Sequence, residues 1–243
     1  MKRDEMTNAL VCALDLETFD RLAPHFEVAP FERGHVFYQP GAPVDRVYFP
    51  HKGVVSVLSV MADGAAVETS TVGRESAVGL LAALAHVAAF SRVIGQTSGV
   101  ASSIDAARLR RLAEESPRLR SVIVRHCDAL LAQAQQSVAC NALHDVEERF
   151  CRWLLTCSDR SDGGEMRLTQ EFLAMMLGVQ RTTVSQVAST LQEAGAIRYQ
   201  RGRVTITDRD ALMRRSCECY ERLRGHIARV LPTTPAPDGP CLN

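Results

Sequence analysis

The chain holds 243 residues, 46% of them hydrophobic and 23% charged, enough for two domains with cores of their own and too apolar for overall disorder. Lys and Arg number 28 and Asp and Glu 28, so the formal net charge is zero, and attraction to a polyanion must come from how the charges are distributed. The N-terminus MKRDEMTNAL lacks a signal-peptide core, no run has the length of a membrane span, and the eight cysteines follow no disulfide framework, so a reducing cytoplasm is expected and a membrane partner is not.

Leu14, Leu16, Phe19 and Leu22 fall at helical spacing between Leu10 and Phe26 and predict one or two short helices. From Phe31 the period changes to two. Short β-type runs alternate with Gly34, Pro40-Gly41, Lys52-Gly53 and Asp63-Gly64, and the last pair, between VVSVLSVM and AAVETSTV, is a hairpin signal. Short strands with regularly spaced glycine turns point to an all-β sandwich or roll. The alanine- and leucine-rich stretch from Ala77 to Phe90 either lines a small apolar pocket or fills the roll, and filling is the expectation.

Ser116 as N-cap and Pro117 in the first turn open a long helix. Ile123, Cys127, Leu130, Ala134, Val138 and Asn141 follow at spacings of three and four, as in a coiled-coil seam. The alternative is one helix packed on its own roll. His144-Asp145 reads as a hinge, Asp145 caps a helix from Val146 to Cys157, and Ser158 to Glu165 is a polar linker.

Leu173, Leu177, Val184, Val187 and Leu191 then mark two short helices around Gly178, with Ala174 small enough for a close crossing. That is a helix-turn-helix. Ile197 and Tyr199, then Val204 and Ile206, alternate with polar residues across a turn at Arg201-Gly202, adding a basic wing. A second helix of this kind fits the major groove of B-DNA. From Glu165 to Arg229 cations exceed anions by four, so phosphate attraction is local to this segment. Asp208 caps one further helix carrying Leu212, Met213, Tyr220, Leu223 and Ile227, and the Pro-rich tail is expected to be disordered.

Gly34, Phe37-Tyr38, Gly41, Asp45, Val47-Tyr48-Phe49 and Gly53 resemble the cyclic-nucleotide-binding β-roll, and Gly73-Arg74-Glu75 resembles the start of its phosphate-binding cassette. With the winged helix-turn-helix, the chain resembles the Crp/Fnr family of bacterial transcription regulators from about Leu14 to Thr207. The fold class expected is α+β: an N-terminal β-roll of double-stranded β-helix or jelly-roll type, a long dimerisation helix, and a C-terminal winged helix-turn-helix. The domains expected are residues 1–115, 116–144, 145–230 with its extra helix, and a tail at 231–243. The resemblance implies a parallel homodimer through the long helix.

It also implies a place for an effector, with Gly73, Glu75, Arg92, Ala134 and Gln135 as candidate pocket residues. In cyclic-nucleotide-binding members a Gly-Glu pair is followed closely by Arg-Ser/Thr-Ala, the glutamate holding the ribose and the arginine the phosphate. Here Arg92 lies too far from Glu75, Val93-Ile94 replace the hydroxyl donor, and Ala134-Gln135 replace the Thr-Ser pair that caps the base in catabolite activators. Three departures argue against cyclic AMP. The iron-sulfur branch groups its cysteines near the N-terminus, where only Cys12 lies here, so no cofactor is expected. No metal site is expected either. Cys217-Glu218-Cys219 with His226 reads either as a metal or redox site or as helix packing, and packing is the expectation because residues i and i+2 point to different sides of a helix; His126-Cys127 leaves the same two readings open.

Gln180, Arg181, Thr182 and Gln186 are the expected base readers; Thr169, Thr183, Ser185, Arg198, Arg201 and Arg203 are the expected phosphate contacts. The family's Arg-Glu pair and second arginine are kept only at Arg181, with Thr182 and Gln186 in the other places. The expected function is a homodimeric, sequence-specific DNA-binding regulator whose effector is unknown, with RNA polymerase and a small effector as further partners. The rivals are a cyclic-nucleotide-gated activator and a scaffold protein whose helix-turn-helix no longer reads DNA. No nucleophile–base constellation suggests an enzyme.

Overall fold

The computed structural model describes residues 3–161 and 164–231. The tail expected to be disordered lies outside the described residues, except that Leu231 is buried in the core of the first domain. Two short helices, α1 (Ala9–Cys12) and α2 (Leu16–Leu22), start at Asn8 and Asp15, whose side chains cap them. Then come β1 (Glu27–Phe31), β2 (Val36–Tyr38), β3 (Arg46–Lys52), β4 (Val55–Val60), β5 (Ala66–Val72), α3 (Leu80–Ala85), β6 (Arg92–Gly95), β7 (Gly99–Asp105) and α4 (Ala106–Glu115).

The strands form two sheets, β1-β7-β3 and β2-β6-β4-β5, antiparallel throughout. Phe31, Val47, Phe49, Val55, Val72, Val93 and Ile104 are buried in one cluster with α1, α2 and α4. The expected hairpin turn is present, with Gly64 at φ +87° where a Cβ would be strained. This is the β-roll.

Helix α5 (Pro117–Leu143) spans 27 residues from the expected Ser116–Pro117 start. Leu119, Val122, Ile123 and Ala129 bury one side of it against the roll. At the hinge His144 leaves the helix in extended backbone, and Asp145 and Glu148 form a capping box that starts α6 (Val146–Arg160). Helix α6 runs past the expected end at Cys157. Arg160, read as linker, is buried and pairs with Glu75 of the roll at 2.5 Å, which holds the last turn in place.

The C-terminal domain continues with β8 (Met166–Arg167), α7 (Gln170–Leu177), α8 (Arg181–Glu193), β9 (Ile197–Gln200) and β10 (Arg203–Ile206), joined in the sheet β8-β10-β9. The single further helix expected after Asp208 is two helices, α9 (Arg209–Arg214) and α10 (Cys219–Val230). The chain breaks helical geometry around Ser216-Cys217, and α10 turns back along α5, where His226 meets Asp128 at 2.9 Å.

This domain packs on the roll. Leu58 of β4 is buried in one core with Phe150, Trp153, Leu173, Leu177 and Val184. Each such side chain removed from water contributes about 1.5–3 kcal/mol. Polar bridges flank the contact: Trp153 donates its indole N–H to the buried Glu68 carboxylate, and Gln96 reaches Cys157 at 3.2 Å.

Candidate functional site

Helices α7 and α8 are held at their crossing by the apolar set read from the sequence. Leu173, Leu177, Val184 and Leu191 are buried and Val187 half-buried. Gly178 ends α7 at φ +64°, and Val179 donates back to the Ala174 carbonyl at 3.0 Å. With that face buried, Gln180, Arg181, Thr182 and Gln186 stand exposed at the start and along the outer side of α8. Arg181 is tethered to the neighbouring helix: its Nε donates to Gln170 at 3.2 Å and its Nη1 pairs with Glu171 at 2.8 Å.

Thr169 caps α7 through its hydroxyl, which accepts from the Phe172 N–H. Thr183 and Ser185 are half-buried, and the Ser185 hydroxyl donates to the Arg181 carbonyl at 3.1 Å. The wing turns through Arg201 and Gly202 at φ +52° and +71°, a two-residue turn whose twist suits the strands it joins. Arg198 and Arg201 are exposed beside α8, while Arg203 pairs with Glu165 at 2.7 Å. All ten residues named for DNA therefore lie on α7, on the α8 side or on the wing, and seven of them stand exposed.

The five effector-pocket candidates fare differently. Glu75 turns away to Arg160, and a Cβ at Gly73 would sit 2.7 Å from the Arg160 side chain, so both serve the contact between domains. Arg92 donates to Gln39 at 2.9 Å near the surface, and Gln135 is exposed. Glu75 borders a pocket of about 300 Å³ between the domains with Arg74, Arg160 and Arg224, and Ala134 lines a larger cavity in the roll. The apolar stretch Ala77–Phe90 does both things read for it: Ala77, Val78, Leu80, Ala83 and Ala89 are buried in the roll core, and the stretch also walls this cavity of about 570 Å³ together with Val57, Thr69, Val72, Val93, His126 and Leu130. Its lining holds no Lys, Arg, Asp or Glu. Phe90 and Leu81 at its rim are 90% and 59% exposed, leaving an apolar mouth.

His126, singled out with Cys127 in the sequence, is the one imidazole in that lining. Its Nε2 accepts from the Ala77 N–H at 3.1 Å and lies 2.7 Å from the Ser76 hydroxyl, which fixes the proton on Nδ1. Among the described residues Nδ1 is buried without a partner. Burial pulls this imidazole down to about 4, with the Glu75 charge opposing, so the ring is neutral.

The single chain separates the residues of the seam read from the long helix. Ile123 is buried in the chain's own core, Cys127 packs half-buried against it, and Leu130 and Ala134 face the cavity; only Val138 and Asn141 are exposed. Before Val138, which both share, the exposed stripe lies one residue further on. Val124, Leu131 and Val138 are 67%, 57% and 72% exposed, with Gln135 and Ala142 between and beyond them. These positions repeat at the spacing of a two-helix seam.

The structure also assembles a group that the sequence dispersed. Cys140 and His144 at the end of α5 meet Cys217 and Cys219 at the break before α10, with all four donor atoms within 4.8 Å of one another. His226, the partner considered for Cys217 and Cys219, is at Asp128 instead. No helix among the described residues is long and apolar enough to cross a membrane.

Comparison with known proteins follows the same division. The family described as cyclic nucleotide-binding domain matches residues 28–116, and the Crp-like helix-turn-helix domain matches residues 148–215. The CRP-like cAMP-activated global transcriptional regulator of Mycobacterium tuberculosis is 27% identical over 202 residues, covering 80% of this chain and 90% of that protein. The global nitrogen regulator of Synechococcus elongatus is 25% identical over 195 residues, covering 76% and 88%. The structure of FixK2 from Bradyrhizobium japonicum superposes with a TM-score of 0.69 at 16% identity, over 79% of this chain and 98% of that one. Because sensor roll and reading domain both match, and in the order these regulators carry them, the chain belongs to the Crp/Fnr family of transcription regulators, which bind DNA through a helix-turn-helix and are not enzymes.

Proposed function

We propose that the chain acts in the cytoplasm as a homodimer that reads a two-fold DNA site through α8 and answers to a small apolar effector rather than to cyclic AMP. The observation that carries the DNA half is the exposed face of α8 beside the wing. Arg181 can fork to guanine O6 and N7 and Gln186 suits adenine, each contact contributing about 1–3 kcal/mol of discrimination. Thr169, Arg198, Arg201 and Arg203 supply phosphate contacts, with Thr183 and Ser185 as lesser ones. RNA polymerase is the protein partner by the same reading. The Val124–Leu131–Val138 stripe supports dimerisation, since a two-fold axis places each of these side chains against its mate.

The effector half rests on the cavity. A cyclic phosphate there would lose its hydration with no cation to replace it, and burying an unpaired charge costs several kcal/mol. An apolar molecule fits better, because the lining is apolar and supplies no charge to pair. Strands β4 and β5 separate this cavity from the reading domain. Val57 and Thr69 line the cavity while Leu58 and Glu68 meet Phe150 and Trp153, so a ligand that moves these strands shifts the pose of α8.

Thermal melts with ligand test the effector claim. At a hundredfold its dissociation constant a ligand stabilises by about 2.7 kcal/mol, a shift of several degrees. Millimolar cyclic AMP is expected to give no shift and no change in DNA affinity, whereas small apolar ligands raise the melting temperature and lose that effect in Leu130→Glu. A clear shift with cyclic AMP overturns the effector reading.

A further inference from the structure

We infer that Cys140, His144, Cys217 and Cys219 form a closed tetrahedral binding site for one zinc ion. Their donor atoms all lie within 4.8 Å of one another. The Cys140 and Cys217 sulfurs are 3.5 Å apart, and the Cys219 sulfur is 3.5 Å from His144 Nδ1. Bond lengths of about 2.3 Å to sulfur and 2.0–2.1 Å to nitrogen give tetrahedral edges of roughly 3.5–3.8 Å, so the four donors need little movement to enclose an ion. An iron-sulfur cluster would hold its cysteine sulfurs apart by the width of the cluster, which this spacing does not allow.

The donor chemistry agrees with the geometry. Three thiolates and one imidazole select a soft or borderline cation, and zinc is the common occupant of a site with four protein donors. All three cysteines are buried, at 0%, 4% and 0% exposure, so solvent does not supply a ligand. The surrounding groups are those that orient ligands. Glu218 lies 3.2 Å from His144 Nε2, which places a proton there and leaves Nδ1 free to coordinate. Gln136 Nε2 donates to the Cys219 sulfur at 2.9 Å. A helix through Cys217 and Cys219 would have sent the two thiols apart. The break at Ser216-Cys217 puts Cys217 outside α10 and turns both inward.

The position gives the site a consequence. Cys140 and His144 close the long helix at the hinge, whereas Cys217 and Cys219 follow the winged domain and lie beyond the matched reading-domain segment 148–215. The ion therefore ties the far end of the DNA-reading domain to the dimer helix across the His144–Asp145 hinge. Its effect on DNA binding rests on the function proposed above; metal binding itself does not.

The test uses the full chain, purified under reductant. Elemental analysis is expected to find one zinc per chain, and cobalt(II) in its place is expected to give the visible absorption of a tetrahedral thiolate site. Cys217→Ser and His144→Ala lose the stoichiometric ion, Glu218→Gln weakens its affinity by about 10–100-fold, and Cys151→Ser, buried elsewhere, keeps it. His144→Ala serves where a cysteine variant does not fold, with circular dichroism as the check. Wild-type reduced protein that takes up neither zinc nor cobalt overturns the site. So does retention of the ion by both Cys217→Ser and His144→Ala, iron with acid-labile sulfide in place of zinc, or a Cys140–Cys217 disulfide in protein that never binds metal. If chelation removes the zinc yet leaves specific DNA affinity unchanged, the site stands and its control of the reading pose is contradicted.

Discussion

His126 joins three parts of the molecule, because it leaves α5, accepts from the backbone at Ala77 and borders the cavity. Folded, it stays neutral down to about 4; unfolded, it takes up a proton near its ordinary 6.5. Unfolding therefore binds a proton between those values, and the contribution of this histidine is whole above about 6.5 and lost as the pH falls toward 4. Between pH 7 and 5 the wild type should lose about 2 kcal/mol more stability than His126→Gln in urea unfolding. Parallel pH profiles for the two would contradict this. The DNA-facing arginines separate by role. Arg181→Ala is expected to flatten preference at one base pair of each half-site, whereas Arg203→Ala weakens all sequences alike and lowers the salt slope by about 1. Equal losses for every base with Arg181→Ala would move that residue to the phosphate group of contacts.

Among the elements, α5 has two apolar stripes one residue apart. One carries Ile123 and Leu130 toward the roll and its cavity, and the other carries Val124 and Leu131 outward. Leu131→Glu should give monomers in sedimentation and abolish specific DNA binding, since like charges would meet at the two-fold axis. Leu130→Glu should leave the dimer and spoil the cavity. The reverse pattern would restore the seam first read from the sequence. Spacing alone could not choose between the stripes, because both are built from steps of three and four and they share Val138; the choice depends on where the roll sits. The helix-turn-helix was legible because Gly178, Ala174 and the buried valines and leucines are local to one motif. The partners of Glu75 and Cys217 were not, since Arg160 and Cys140 lie 85 and 77 residues away and meet them only after the domains pack.

At the scale of the whole molecule, the roll and the reading domain are joined through one packed contact. Glu75 and Arg160 form its buried ion pair, with side chains 20% and 7% exposed. Glu75→Ala leaves the guanidinium buried without its charge partner and should cost about 3 kcal/mol in unfolding free energy. A loss below about 1 kcal/mol would mean that the domains are not held through this pair. The claim on which the rest depends is that two α8 helices read one DNA site together. Selection of bound fragments from a random DNA pool by this 243-residue chain tests it most directly. The account predicts an inverted repeat whose half-sites lie about one helical turn apart, or a multiple of it, with a guanine position that disappears in Arg181→Ala. Enrichment of a single unpaired half-site, or of no sequence at all, would contradict it.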